Sequence, residues 1–249
     1  MRVHALRVEA DGAVLRIALA RPERRNAFDA ELIAELTSAF ADVGDVRAVV
    51  LSGDGPSFSA GADVEWMRSS IDLSYDDNVD DALRLRAMLD AIDGCPAPVI
   101  GRVQGHALGG GCGLVACCDV VVADPAAVFA FSEVKLGIVP AVISPFALAK
   151  IGPGAARRYF VTGERFSAET AHRIGLVHEV ADDLDGAVAA VVGELLSAGP
   201  AATRAAKALA RAPQAAEETA HLIATHRTSN EGQEGLRAFL EKRAATWRG

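Results

Sequence analysis

Gly105-His106-Ala107-Leu108-Gly109-Gly110-Gly111-Cys112-Gly113 lies one residue beyond the apolar run Pro98-Val99-Ile100-Gly101-Arg102-Val103 and opens a helical pattern that reaches Cys118. The same arrangement occurs upstream. Ser57-Phe58-Ser59-Ala60-Gly61-Ala62-Asp63 separates the apolar run Ala48-Val49-Val50-Leu51 from a helical pattern over Val64 to Ser69. Both stretches read as strand-to-helix turns. Such turns present unpaired backbone N–H groups and the positive end of a helix dipole to an anion. Glycine there lets a ligand approach the backbone without a Cβ in the way.

Outward from these turns the chain reads as a layered α/β core. Val3 to Val8 and Val14 to Leu19 alternate in polarity around an Asp11-Gly12 hairpin signal. Asp29 is placed to cap a helix carrying Leu32, Ile33, Leu36 and Phe40 on one face. Continuous apolar runs at Ala48–Leu51, Pro98–Val103, Val120–Ala123 and Val128–Phe131 suit buried parallel strands. A helix is expected over Asn78 to Ile92, and a short strand over Leu176 to Val180. The C-terminal part reads as helices over Pro200–Ala210, Gln214–Arg227 and Ser229–Ala245. Their apolar stripes (Leu222, Ile223; Leu236, Phe239, Leu240) need covering by the core or by a neighbouring subunit. The expected division is a core over 1–195 and a helical region over 196–249.

The 249 residues are 51% hydrophobic and 23% charged, enough to bury a core without disulfides or a structural metal. Cys95, Cys112, Cys117 and Cys118 have no metal-ligand spacing and read as small buried residues. The net charge of -8 argues against nucleic acid, and no Lys/Arg cluster with interleaved aromatics is present. No apolar run reaches about 20 residues, so no membrane span is expected. The N-terminus has no secretory pattern, and a cytoplasmic location is the expectation. The acidic stretch Asp72 to Asp81 reads either as a solvated loop capping the following helix or as a mobile lid or polar wall near a substrate.

A phosphate-binding loop would need Lys followed by Ser or Thr after its second glycine, where Gly113-Leu114-Val115 stands; a dinucleotide fingerprint and a Gly-x-Ser-x-Gly elbow are also missing. Two converging N–H groups without a nucleophile suit an oxyanion hole for a thioester enolate. At this point the chain resembles the crotonase (enoyl-CoA hydratase/isomerase) superfamily. The resembling pieces are Arg21-Pro22 with Asn26-Ala27-Phe28, Phe58 to Asp63, Gly105 to Cys112, Cys118-Asp119, Phe131-Ser132-Glu133-Val134-Lys135-Leu136-Gly137-Ile138-Val139-Pro140, and the Glu231 to Arg243 tail. The resemblance implies a spiral of ββα turns with a C-terminal helical trimerisation region, assembled as a trimer or a dimer of trimers. It implies an acyl-CoA thioester substrate, with coenzyme A part of the substrate rather than a separate cofactor. The Ala62 and Gly110 amides would hold the thioester oxygen, and Glu133 would be the acid/base. Ala60, Asp63, Val64, Glu65 and Leu108 would line the substrate groove, with Arg24 and Ala27 near its nucleotide end and Phe239 and Lys242 reaching it.

One departure stands out. Hydratases of this family usually carry a second glutamate three residues after the oxyanion glycine, and here that position is Gly113. If a helix begins at Gly110, residue 113 shares its face. Glycine inside a helix costs about 1 kcal/mol against alanine, so its presence asks for a reason. Room for a branched acyl group or a water is the expectation, with loss of activity as the other reading. Within the superfamily the chain is similar to hydratases for 3-methylglutaconyl-CoA or isohexenylglutaconyl-CoA, which implies a branched or γ-carboxylated substrate. Glu133 would then perform both proton transfers, aided by a substrate carboxyl or a water. A Δ3,Δ2-enoyl-CoA isomerase, which needs one carboxylate, and a non-catalytic acyl-CoA- or RNA-binding relative are the alternatives. His106, His172 and His178 read as packed or exposed, and Trp66 and Met67 as acyl-pocket or core residues.

Overall fold

The computed structural model describes residues 5–211 and 215–248. Val3, His4, Gln214 and Gly249, which belong to segments assigned above, lie outside them. β1 (Leu6–Asp11) and β2 (Val14–Leu19) form the antiparallel hairpin, turning at Gly12 with φ +59°. After a short 3₁₀ turn at Pro22–Arg24 comes α1 (Ala30–Ala41), capped by Asp29, which accepts from the Leu32 amide at 3.0 Å. There follow β3 (Ala48–Gly53), α2 (Val64–Ser70), α3 (Tyr75–Asp93), β4 (Val99–Val103), β5 (His106–Leu108), α4 (Gly110–Cys117), β6 (Val120–Ala123) and β7 (Val128–Ala130). A 3₁₀ turn at Glu133–Leu136 leads to α5 (Ser144–Thr162), β8 (Phe166–Ser167), α6 (Ala168–Arg173), β9 (Glu179–Val180) and α7 (Leu184–Ser197). The chain continues through α8 (Pro200–Leu209), α9 (Ala216–Thr228), α10 (Asn230–Leu240) and a 3₁₀ turn at Thr246–Arg248.

The main sheet runs β1-β2-β3-β4-β6-β9, parallel except for the first pair. Its central strands β3, β4 and β6 are buried on both faces and are continuous apolar runs, whereas the edge strand β1 is exposed along most of its length. Ile17, Leu51, Val99 and Val121 face the larger cluster with Leu32, Leu36, Met88 and Leu89 of α1 and α3. Val50, Ile100 and Val122 point the other way, against Leu184, Val188 and Val192 of α7.

A second, smaller ladder crosses the turns. Phe28 bridges Ala62, Ser59 bridges Ala107, and β5 pairs β7, all in parallel, with β8 added antiparallel. Each turn of the chain thus contributes one strand to the main sheet and a short piece to this ladder, the spiral of ββα turns expected from the resemblance. The apolar run Val128–Phe131 reads as a further strand of the core sheet. It belongs to the small ladder instead, as β7.

Helix α5 has no counterpart in the sequence reading. It bends at Gly152 (φ +66°) directly before Pro153, and that break obscures its pattern. The strand expected over Leu176–Val180 shrinks to β9, because the Leu176 and Val177 amides turn back onto the Ala171 carbonyl. The last helix stops at Leu240 rather than Ala245. Lys242 takes φ +56° and the Arg243 amide bonds back to the Ala238 carbonyl at 3.0 Å. Phe239 (81% exposed) and Leu240 (78%) project from α10 with no cover in the single chain. Among the described residues no single helix is long and apolar enough to cross a membrane.

Candidate active site

The first glycine-rich turn is tied down from beneath by Asn26, which is fully buried and held at φ +54°. Its Oδ1 accepts from the Arg21 amide at 2.9 Å, and its Nδ2 donates to the carbonyls of Asp54 (2.9 Å) and Ser57 (2.8 Å). The Phe28 amide donates to Gly61 O and the Asp63 amide to Phe28 O, both at 2.7 Å. Because Gly61 O and Asp63 N face Phe28, the Ala62 N–H between them points the opposite way. Gly61 has φ +89°, and a Cβ on it would stand 2.6 Å from the Leu108 carbonyl, so the two turns touch through this glycine. Asp63 then caps α2, accepting from the Glu65 amide at 2.8 Å while pairing with Arg24 at 3.2 Å. Burial alone would raise its carboxyl, but those amides and Arg24 outweigh it and hold it below the usual carboxylate range.

The second turn is sewn to the first. Leu108 N donates to Ser59 O at 3.0 Å, and Gly109 N to Ala130 O at 2.8 Å. Gly109, at φ +50°, swings the chain into α4, so Gly110 is its first residue and its N–H has no carbonyl one turn back. Among the described residues the chain offers no acceptor to the amide of Ala62 or of Gly110. Both residues line one cavity of about 340 Å³.

Glu133 lines the same cavity. It opens the 3₁₀ turn that closes at Gly137 (φ +75°), and its Oε1 would lie 3.4 Å from a Cβ on Gly109. Its Oε2 is buried with no hydrogen-bond partner. Burial pushes its carboxyl up, and its own backbone amide offsets this only in part. A carboxyl desolvated in this way is poised to give up a proton at a pH above the ordinary range.

The structure therefore brings Ala60, Ala62, Gly110 and Glu133 together around one space. It leaves other expected residues outside the cavity wall. Gly113 is the chief correction. It is buried behind the wall, and a Cβ on it would meet Ile143 Cγ2 at 2.6 Å and Leu89 Cδ2 at 3.6 Å. The room expected beside Gly113 is filled by Ile143, whose side chain forms the wall there. Leu108 is half-buried behind the turn, and Asp63 serves as a cap. Val64 is 64% exposed and Glu65 pairs with Arg68 at 2.7 Å on the outer face of α2. Arg24 and the buried Ala27 flank the first turn, while Phe239 and Lys242 lie on the surface of α10 and just beyond it.

Trp66 and Met67 line the cavity, as does one face of α3: Asn78 and Asp81 from the acidic stretch, together with Ala82 and Leu85, which the sequence reading did not place there. Their spacing of three, one and three residues is one helix face, a signal available in the sequence. The acidic stretch caps the helix that follows it and also lends residues to the cavity wall. Ser74 and Asp77 form a capping box at the start of α3, and Asp81 reaches the cavity wall. His106 Nδ1 lies 3.3 Å from Ser57 Oγ, and His178 Nδ1 accepts from the Val121 amide at 3.0 Å; both histidines are held by hydrogen bonds and neither lines the cavity. All four cysteines are buried and free, and among the described residues no cluster of His, Cys, Asp or Glu could hold a metal.

The spiral, with its C-terminal helices, is the crotonase fold, and it carries an enzyme's cavity at the junction of two turns. The chain belongs to the enoyl-CoA hydratase/isomerase family, whose model matches residues 9–249. It is 36% identical over 203 residues to an enoyl-CoA hydratase of Alternaria alternata, a match covering 79% of this chain and 66% of that protein. To a crotonyl-CoA hydratase of Syntrophomonas wolfei it is 34% identical over 240 residues, 91% of each chain. The crystal structure of an enoyl-CoA hydratase from Shewanella pealeana superposes with a TM-score of 0.92 at 38% identity, covering 98% of this chain and 96% of that one.

Proposed function

We propose that this protein is an enoyl-CoA hydratase, adding water across the α,β double bond of an acyl-CoA thioester. The observation that carries the reading is one cavity walled by two amides without acceptors among the described residues, from successive turns of the spiral, and by a carboxyl whose buried Oε2 has no partner. In the proposed reaction the Ala62 and Gly110 amides hold the thioester oxygen. Charge collects there as the β-carbon is attacked, in a site whose donors are already oriented. Glu133 in its protonated form delivers its proton to Cα as the enolate collapses, and takes it back in the reverse direction. Coenzyme A arrives as part of the substrate and runs outside the cavity, past Arg24, Ala27 and the Asp63–Glu65 edge. Phe239 and Lys242 of a neighbouring subunit complete that groove in a trimer or a dimer of trimers.

The acyl group proposed is apolar and branched. Trp66, Met67, Leu85, Val142 and Ile143 supply an apolar wall, and neither Lys nor Arg lines the cavity. A γ-carboxylate would bring a further acidic group beside Glu133 and Asp81 with no cation among the residues lining the cavity, which is costly in a desolvated site. The lone unpartnered carboxyl also favours a second reading, a Δ3,Δ2-enoyl-CoA isomerase that shuttles one proton between Cα and Cγ. Crotonyl-CoA, 3-methylcrotonyl-CoA, 3-methylglutaconyl-CoA and 3-hexenoyl-CoA assayed side by side separate these. Hydration of the first two supports the reading, and turnover of 3-hexenoyl-CoA alone replaces it with isomerisation. Full activity in Glu133→Gln rejects both.

A further inference from the structure

Resting on the hydratase reading, we propose that Asp81 is the second catalytic carboxylate, the base that activates the attacking water. Three observations converge on it. The position three residues after Gly110 is Gly113, and Ile143 fills the space beside it, so no carboxylate stands at that wall. Among the residues lining the cavity, Glu133 and Asp81 are the two that carry carboxyl groups. The two are also presented differently. Glu133 Oε2 is buried and unpartnered, whereas Asp81 is gripped on one side, Arg84 Nη2 donating to its Oδ1 at 2.7 Å. Among the described residues no group of the chain donates to Asp81 Oδ2, which leaves that oxygen to accept a proton from water. The support is stiff: α3 starts in the Ser74–Asp77 capping box and buries Met88, Leu89 and Ile92 in the core. Two carboxyls in unlike surroundings around one cavity divide naturally into an acid and a base.

The step balances. Asp81 Oδ2 takes one proton from water, and the water oxygen forms a bond to Cβ. The π electrons move toward the thioester oxygen, held by the Ala62 and Gly110 amides. The enolate then collapses and Cα takes the proton of Glu133. One water is consumed, Asp81 ends protonated and Glu133 ionised, and exchange with solvent at the cavity mouth restores both.

The test splits the reaction. Hydration of crotonyl-CoA needs both carboxyls, whereas exchange of the Cα hydrogens of butyryl-CoA in D2O needs only Glu133 and the two amides. Asp81→Asn is expected to lose about 10²–10⁴-fold in kcat for hydration. Its Cα exchange should stay within about twofold of wild type. Asp81→Ala should behave alike, and Asp81→Glu should recover part of the rate. Glu133→Gln should lose hydration and exchange together. Wild-type hydration in Asp81→Asn, or a fall in exchange that matches the fall in hydration, overturns the assignment while leaving the hydratase reading intact. A wild-type protein that exchanges Cα hydrogens yet hydrates no 2-enoyl-CoA overturns the hydratase reading itself, and the role of Asp81 with it.

Discussion

A methyl group added at Gly113 sets two energies against each other. Alanine is favoured over glycine inside a helix by about 1 kcal/mol. Against this, the new Cβ would stand 2.6 Å from Ile143 Cγ2 and 3.2 Å from its Cβ, where ordinary contact begins near 3.4 Å. Relief requires a shift of nearly 1 Å by a buried, β-branched side chain with little rotamer freedom. Overpacking of this kind costs about 1–3 kcal/mol. Gly113→Ala should therefore be destabilised by roughly 1 kcal/mol net. Ile143→Ala alone leaves a cavity and should cost about 2–5 kcal/mol. In the double variant the clashing methyl is gone and the new one partly refills the gap, so its loss should fall short of the sum by about 1–3 kcal/mol. The assay is urea denaturation of all four proteins at one protomer concentration, since self-association would shift the midpoints. Strict additivity would refute the claim that Ile143 occupies the space next to Gly113.

Three further outcomes are expected. Glu133→Gln should lower turnover by about 10²–10⁴-fold. Between the unfolded glutamate value of about 4.3 and its raised folded value, the native wild type binds the extra proton, so its stability should fall with rising pH relative to Glu133→Gln. Parallel melting curves across that window would contradict the burial of the charge. Asp63→Ala should lose about 1 kcal/mol as the α2 cap disappears, together with activity as the Ala62 amide loosens. Because the Asp63 carboxyl is held low, the stability it contributes should persist at neutral pH and vanish as pH falls through its depressed value, which acid titration of both proteins measures. Phe239→Asp should lower the sedimentation mass of the proposed trimer, because it places a charge on the most exposed large apolar side chain of α10; an unchanged mass would remove that face from the proposed interface.

Much of this architecture is legible before any coordinates. The buried strands are runs of Val, Ile and Leu because both sheet faces are covered, and the glycines mark where two turns must approach within contact distance. What escaped has identifiable causes. The second ladder is built partly from single-residue bridges at Phe28–Ala62 and Ser59–Ala107, which leave no periodic trace. Ile143 lies 30 residues from Gly113 and meets it only through tertiary packing between α4 and the start of α5, so the glycine looked like vacant room. The cavity face of α3 is a different matter: its spacing was readable, but a run of acidic residues reads first as solvated surface.

Surface loops ordinarily tolerate changes of length. Ser59 to Asp63 should not, although most of it is neither helix nor strand. Its peptide groups are assigned one by one: Ser59 to His106 and Leu108, the Ala60 amide to Arg25 O, Gly61 O and the Asp63 amide to Phe28. An inserted or deleted residue would put these partners out of step on one side of Ala62 and turn its amide away from the cavity. The segment thus behaves as a ruler held at both ends, fixed in residue number although it has the look of a loop.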